Sequence, residues 1–256
     1  MSYDQVLYEK QDGVAIITLN RPEVLNAMSN QLTNEMDEAL TEAEGDDEVG
    51  AVVITGSGNR AFTAGGDIHE QKRNANELSD EEKAIRGEAG ARHAWHLATF
   101  SKPTIGALNG LAYGGGARLA ATVDMRVGCE RTSFRFLAVT YGRINATWNL
   151  PLIVGWPMAK ELLFTGRDVG AEEAYRLGLL NHLVPSAQLM DKSLELGAMI
   201  AKNRASSVQG IKHLMNEHVG ASLHEMQLQE RDYTGEKLKM PPPEEAFKDF
   251  LDRKPG

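Results

Sequence analysis

The sequence predicts an α/β fold: a strand-and-helix core in the first part of the chain, followed by a helical region. Three observations carry this reading. Short apolar runs alternate with helical patterns up to about residue 157, and almost only helical patterning follows. Cys129 is the single cysteine, so neither an intramolecular disulfide nor a cysteine-based zinc cluster shapes the chain. The chain has 256 residues, 42% hydrophobic and 25% charged, which is long and apolar enough to bury a substantial core.

The elements follow in order. Val14-Ala15-Ile16-Ile17-Thr18-Leu19 reads as a strand stopped by Asn20-Arg21-Pro22, because Pro22 cannot continue the ladder. From Ser29 a helix is expected: Leu32, Met36, Leu40 and Ala43 keep one apolar stripe, and Gly45 suits its end. Ala51-Val52-Val53-Ile54-Thr55 is too continuously apolar for a half-exposed strand and predicts a buried one. Further strands are expected at 104–108 and 123–127, with a charged surface helix over about 79–100 between them. Beyond Pro157 the helical patterns cover 158–164, 171–177, 187–202, 208–219, 223–238 and 244–251. Pro241-Pro242-Pro243 breaks the chain before the last of these and places a proline near its first turn. The expected division is a core over 1–190 and a helical C-terminal region over 191–256.

Composition narrows the function. With 27 Lys+Arg against 36 Asp+Glu the net charge is −9, so no basic face for nucleic acid is expected. No apolar run approaches the roughly 20 residues of a membrane helix, and Met1-Ser2-Tyr3-Asp4-Gln5-Val6 lacks a basic-then-apolar leader pattern. A cytoplasmic protein without nucleic-acid or membrane partners is the expectation. Asp67, His69 and Glu70 converge poorly for a metal, so none is expected. Gly56-Ser57-Gly58 lacks the third glycine of a dinucleotide fingerprint, and Gly114-Gly115-Gly116 lacks the Lys-Ser/Thr of a phosphate loop.

Two glycine-bearing stretches carry the chemistry: Ala61-Phe62-Thr63-Ala64-Gly65-Gly66-Asp67-Ile68 and Asn109-Gly110-Leu111-Ala112-Tyr113-Gly114-Gly115-Gly116. Glycine lets a ligand approach the backbone, and the first amides of a helix point outward unpaired. Two such amides from separate loops can hold a developing oxyanion.

Together with Asn20-Arg21-Pro22, Leu25-Asn26-Ala27-Met28, Lys102-Pro103, Asp124, Leu163-Phe164-Thr165-Gly166 and Phe250-Leu251-Asp252-Arg253-Lys254, these stretches resemble the crotonase (enoyl-CoA hydratase/isomerase) superfamily over nearly the whole chain. The resemblance implies a spiral of ββα turns with a helical C-terminal trimerisation region, assembling as a homotrimer or hexamer. It implies an acyl-CoA thioester as ligand, with coenzyme A as part of the substrate and no separate cofactor. Carried over by position, the amides of Gly66 and Gly115 would stabilise an enolate-like thioester anion. Val24, Leu25, Ala27 and Ala64 would meet the adenine and pantetheine, and Phe250 and Arg253 the nucleotide end. Ile68, Ala138, Tyr141, Asn145 and Trp148, with Tyr113 and Asn149, fall in stretches expected to line the acyl pocket.

The pattern breaks at two positions. Hydratases of this family place a glutamate just after the triple glycine and another about twenty residues on; here these positions are Arg118 and Ala138. Arginine stays protonated and cannot act as a general base, and alanine carries no titratable group. General acid–base help contributes about 10²–10⁴-fold, so ordinary hydration is expected to be severely impaired. Arg118 suits a substrate carboxylate or an enolate, and Tyr141 is a possible proton donor. The leading expectation is an acyl-CoA lyase or isomerase. The alternatives are decarboxylation of a malonyl-type thioester, thioester hydrolysis, or acyl-CoA binding without catalysis. His93 and His96 are expected to be ordinary helix residues, and Cys129 a packing residue.

Overall fold

The computed structural model describes residues 3–238 and 241–252. The chain forms two compact units, divided between Asn203 and Arg204.

In the first unit, strands of two sheets alternate along the chain. β1 (Val6–Gln11) and β2 (Val14–Leu19) form an antiparallel hairpin. Its two-residue turn, Asp12-Gly13, has φ of 50° and 78°, the mirror-image turn that matches strand twist. α1 (Asn30–Gly45) then crosses to β3 (Ala51–Gly56), which pairs in parallel with β2. β4 (Ala61–Thr63) leaves for the second sheet, and α2 (Ile68–Glu77) and α3 (Asp80–Thr99) follow. The pattern repeats with β5 (Thr104–Leu108), β6 (Leu111–Tyr113) and α4 (Gly115–Thr122), then with β7 (Met125–Gly128) and β8 (Ser133–Arg135). The remaining elements of this unit are α5 (Leu150–Val154), α6 (Trp156–Thr165), β9 (Val169–Gly170), α7 (Ala171–Arg176), β10 (His182–Leu183) and α8 (Leu189–Ala201). One sheet therefore runs β1-β2-β3-β5-β7-β10 and the other β4-β6-β8-β9. From β3 to β8 each turn of chain gives one strand to each sheet before the next helix, which is a spiral of ββα turns.

The local reasons are readable. Ser29 caps α1 by accepting from the Leu32 amide at 3.0 Å, and Leu32, Met36, Ala39, Leu40 and Ala43 are its buried stripe. β3 is buried along its whole length, as its unbroken apolar run requires. Several motif residues act as ties between turns of the spiral. Asn26 Nδ2 donates to the Ser57 and Ala61 carbonyls, and Asn109 Nδ2 to those of Gly56 and Gly58. Lys102 Nζ donates to the Ala43 and Asp46 carbonyls, and Asp124 accepts from the Thr104 amide and hydroxyl.

Some expectations shift. The strand expected at 123–127 is β7, beginning at Met125, because Val123 ends α4 and Asp124 is engaged with Thr104. The region after Pro157 is not wholly helical: β9 and β10 each extend a sheet by two residues. The division falls at 203/204 instead of 190/191. α8 belongs to the first unit because Leu189, Met190, Leu194, Leu196 and Ile200 pack on Val14, Val53, Ile105 and Val127 of the six-stranded sheet.

The second unit is helical: α9 (Ala205–Glu217), α10 (Leu223–Glu236), α11 (Pro243–Ala246) and α12 (Lys248–Leu251). Ser222 and Glu225 form a capping box at the start of α10. His213 and Tyr233 pack ring to ring at 5.5 Å between α9 and α10. The helix expected over 244–251 is two short ones that meet at Phe247. No helix among the described residues is long and apolar enough to cross a membrane.

Candidate active site

The loop after β4 is shaped by a single parallel bridge between Met28 and Gly66. The Met28 amide donates to the Gly65 carbonyl at 2.7 Å, and the Asp67 amide to the Met28 carbonyl at 3.0 Å. These bonds straddle Gly66 and leave its own amide out. Gly65 makes the turn at φ 91°, a conformation open to glycine. Asp67 then caps α2 through the Glu70 amide at 3.0 Å and pairs with Arg21 at 2.9 Å. Burial pushes the Asp67 carboxyl up, but those two partners overcome it and hold its pKa below the usual carboxylate range.

The second loop divides its three glycines among three tasks. Gly114 turns at φ 54° and donates to the Arg135 carbonyl at 2.8 Å. Gly116 packs on the Thr63 backbone so closely that a side chain there would strike the Thr63 carbonyl. Gly115 opens α4, where no preceding turn supplies an acceptor for its amide. Among the described residues neither the Gly66 nor the Gly115 amide has a hydrogen-bond partner. A methyl group built on Gly115 would lie 3.4 Å from the Gly66 nitrogen and 2.8 Å from Met28 Cε, so the two loops meet here.

Both glycines line one cavity of about 420 Å³. Of the residues expected at the site, Ala64, Ile68, Arg118, Ala138, Tyr141 and Asn145 line it too. Leu25 instead borders a separate cleft of about 100 Å³ beside Pro22 and Arg60, linked to the site where the Ala64 amide donates to the Leu25 carbonyl at 2.9 Å. Val24 and Ala27 lie on that same loop, and the Arg21 guanidinium donates to the Ala27 carbonyl at 2.6 Å. Trp148 is exposed and outside the cavity wall. Tyr113 and Asn149 also stay out of it: the Tyr113 hydroxyl donates to Asp168 at 2.8 Å, and Asn149 Nδ2 to the Ala121 carbonyl at 3.1 Å. Phe250 is exposed on α12 of the second unit, and Arg253 lies outside the described residues.

None of the described residues that line the cavity carries a carboxylate. Its polar wall includes Asn30 and Asn145, whose Nδ2 and Oδ1 respectively are buried without partners among the described residues. Arg143 and Gln71, which the sequence did not single out, are held together at 2.9 Å on the rim. The Arg118 guanidinium projects from α4 with no hydrogen bond or ion pair to any described residue, and burial alone pushes its pKa below the ordinary value. The acidic side chains near Gly66 are occupied: Asp67 with Arg21, and Glu70 with the Asn30 amide at 2.8 Å.

Behind Arg118 lies a second, smaller chamber of about 80 Å³, which shares Met28, Thr33, Gly90 and Arg118 with the first. The α3 face bearing Gly90, His93, Ala94 and Leu97 forms one of its walls. His93 Nε2 is 3.6 Å from Asp37 Oδ2 on α1, while His93 Nδ1 is buried with no partner. His96, one helical turn on, is held instead by Asp37 at 2.7 Å and Glu44 at 3.4 Å and does not reach the chamber.

The fold, a spiral of ββα turns, defines a class of enzyme scaffold that known proteins share. The profile of the enoyl-CoA hydratase/isomerase family matches residues 9–255. The short-chain-enoyl-CoA hydratase of Clostridium acetobutylicum is 33% identical over 258 residues, spanning 99% of this chain and 97% of that one. The crotonyl-CoA hydratase of Syntrophomonas wolfei is 31% identical over 99% and 97% of the two chains. The crystal structure of an enoyl-CoA hydratase from Bacillus anthracis aligns with a TM-score of 0.89 at 28% identity, covering 97% of this chain and 96% of that one. The chain belongs to the enoyl-CoA hydratase/isomerase family.

Proposed function

We propose that the protein transforms an acyl-CoA thioester through an enolate held by the Gly66 and Gly115 amides. The observation that carries this is the pair of unpartnered amides on one cavity. As the α carbon becomes carbanion-like, charge moves to the thioester oxygen. Two donors fixed in advance stabilise that charge without reorganising, and one such donor contributes about 2.7–4 kcal/mol. The thioester end of coenzyme A would then pass Ala64 toward the loop of Val24, Leu25 and Ala27. Relatives are named as hydratases, but with Arg118 and Ala138 where two glutamates are expected, crotonyl-CoA hydration by this chain is very weak. Arg118 favours a second reading, decarboxylation of a malonyl-type thioester. The bond to the carboxylate breaks, its electron pair passes to the thioester oxygen, carbon dioxide leaves, and the enolate then takes a proton. The exposed apolar side chains of the helical unit, among them Ile211, Met215 and Leu223, support assembly as a trimer or hexamer, which light scattering tests.

The experiment is a turnover screen with crotonyl-CoA, malonyl-CoA and saturated acyl-CoA thioesters, run on the wild type and Gly115→Val. Met28 Cε can move aside for the new side chain, so folding survives while the space beside the Gly66 amide is filled. A loss of about 10²-fold or more is expected on whichever thioester is turned over. Robust crotonyl-CoA hydration overturns the expectation that hydration is weak, and a Gly115→Val enzyme as active as the wild type overturns the enolate reading.

A further inference from the structure

We propose that Gln71, oriented by Arg143, is a specificity-determining residue that binds a second carboxylate on the acyl group, so that the site takes monothioesters of dicarboxylic acids. This rests on the enolate reading above for where the thioester oxygen sits.

Gln71 is the fourth residue of α2. Helical side chains lean toward the N-terminus of their helix, and that of Gln71 falls back over the loop that carries Gly66. Its Nε2 lies so close over Gly66 that a methyl group added to that glycine would strike it. The φ of Gly66 is not in the left-handed region, so its backbone conformation does not demand glycine. The carboxamide does: it takes the place where any other side chain would begin.

Arg143 decides which way the carboxamide faces. The Arg143 amide donates to the Ala138 carbonyl at 2.8 Å, closing a turn that brings both residues to the cavity wall. Its Nη1 donates to Gln71 Oε1 at 2.9 Å. A guanidinium has only donors, so it holds the oxygen and leaves the NH₂ on the Gly66 side. Nε2 has no hydrogen-bond partner among the described residues, and unlike Asn30 Nδ2 it is not a buried atom. Gln71 thus lines the cavity of Gly66 and Gly115 with two uncommitted donor hydrogens. The cation on its oxygen makes them stronger donors, because linked hydrogen bonds polarise one another.

Those donors call for an acceptor, and the wall sets its charge. The charged side chains on the wall are Arg118 and Arg143, both cations, in a chain of net charge −9. With the thioester oxygen on the Gly66 amide, the acyl atoms next to the thioester carbon pass beside Gln71. A hydrocarbon chain there leaves the donors unanswered, whereas a carboxylate accepts from them. Arg143 acts through Gln71 and is a positioning residue.

The test is calorimetric binding of succinyl-CoA and butyryl-CoA, which have equal carbon number, to the full chain. The wild type is expected to prefer succinyl-CoA about tenfold or more, the range of a hydrogen bond to a charged group. Gln71→Met is expected to remove most of that preference. Gly66→Ala retains the backbone amide but evicts the carboxamide, and is expected to lower the preference to the same extent. Arg143→Met lowers it too, and the Gln71→Met/Arg143→Met double variant loses no more than Gln71→Met alone, a coupling that independent surface residues do not show. A wild type without the preference, or a preference that survives Gln71→Met or Gly66→Ala, overturns the assignment. Additive losses in the double variant overturn the positioning role of Arg143. None of these binding results depends on turnover, so the enolate reading stands or falls separately, on Gly115→Val.

Discussion

Arg118, half-buried on α4, and Arg126, buried on β7, are cations in consecutive elements, and they are treated in opposite ways. Arg126 is 5% exposed and donates from Nε to the Leu179 carbonyl at 2.7 Å and from Nη1 to those of Val123 and Ala120 at 2.7 and 3.3 Å. Burial pushes its pKa down to about 10, partly offset by Asp124. Arg118 is also pushed down by burial, yet no described residue partners it. The protein completes the first guanidinium with its own backbone, across the end of α4 and the turn after α7. Among the described residues the second has no such partner. Burial lowers both pKa values; the difference is in the partners, and under the proposed function Arg118 is the cation that meets the ligand.

The largest expected effect falls on the structural member of the pair. Arg126→Met strands three carbonyls that had one donor group, and each buried unsatisfied group costs about 1–3 kcal/mol. A loss of about 3 kcal/mol or more is expected by urea denaturation, with activity falling only as far as folded protein is lost. If Arg126→Met unfolds at the wild-type urea midpoint, the contrast between the two arginines is broken.

Arg118→Met sharpens the same contrast from the other side. No internal bond is lost, so stability is expected to stay within about 0.5 kcal/mol of the wild type or to rise. A charge-assisted bond to a substrate carboxylate contributes about 1.5–3 kcal/mol, so kcat/KM for a malonyl-type thioester is expected to fall about 10²-fold. Thioesters without a second carboxylate are expected to lose far less. A uniform loss across both classes assigns Arg118 to the enolate and removes the case for decarboxylation.

How much of this was legible beforehand depends on where the information sits. β2, α1, β3 and β5 could be read because each carries its own buried run or stripe. α2 could not, because none of its residues is buried and no apolar period marks it; Asp67 followed by Glu70 was the available signal, a cap at its start. β4, β6 and β8 have three residues each, too few to show a period of two. β1 was announced only by Asp12-Gly13, a hairpin turn pair. At the site, the two glycine-bearing stretches stood out in the sequence itself, whereas the roles of Gly66 and Gly115 and the loss of carboxylates at 118 and 138 came from the family resemblance. His93 did not stand out, because on its own helix it resembles His96. Both reach Asp37, supplied by α1 from far earlier in the chain; what distinguishes them is that only His93 lines a chamber that exists once α1, α3 and α4 have packed.

A third arginine sets the lower end of the scale. Arg167 has the richest set of charged partners: Nη1 and Nη2 reach Glu173 at 2.9 and 2.7 Å, and Nε reaches Glu161 at 2.8 Å. By count of charge-assisted bonds it should outrank Arg126. Its side chain, however, is 32% exposed, as is that of Glu173, so water competes for every one of those bonds. Exposed pairs contribute about 0.2–1 kcal/mol. Glu173→Gln is therefore expected to cost under about 1 kcal/mol in urea denaturation at low salt. The cost should shrink further in about 1 M salt, where the screening length falls to about 3 Å. The pH dependence has a definite sign. Hydrogen bonding from Arg167 outweighs partial burial and holds the Glu173 pKa below the usual carboxylate range. Its contribution is thus fully present above the unfolded value of about 4.3 and is lost as pH falls through the lower folded value. The stability gap between wild type and Glu173→Gln should accordingly be open at pH 7 and close in acid. A gap as large as that for Arg126→Met would mean that the number of charged partners, and not their removal from water, sets what an arginine contributes here.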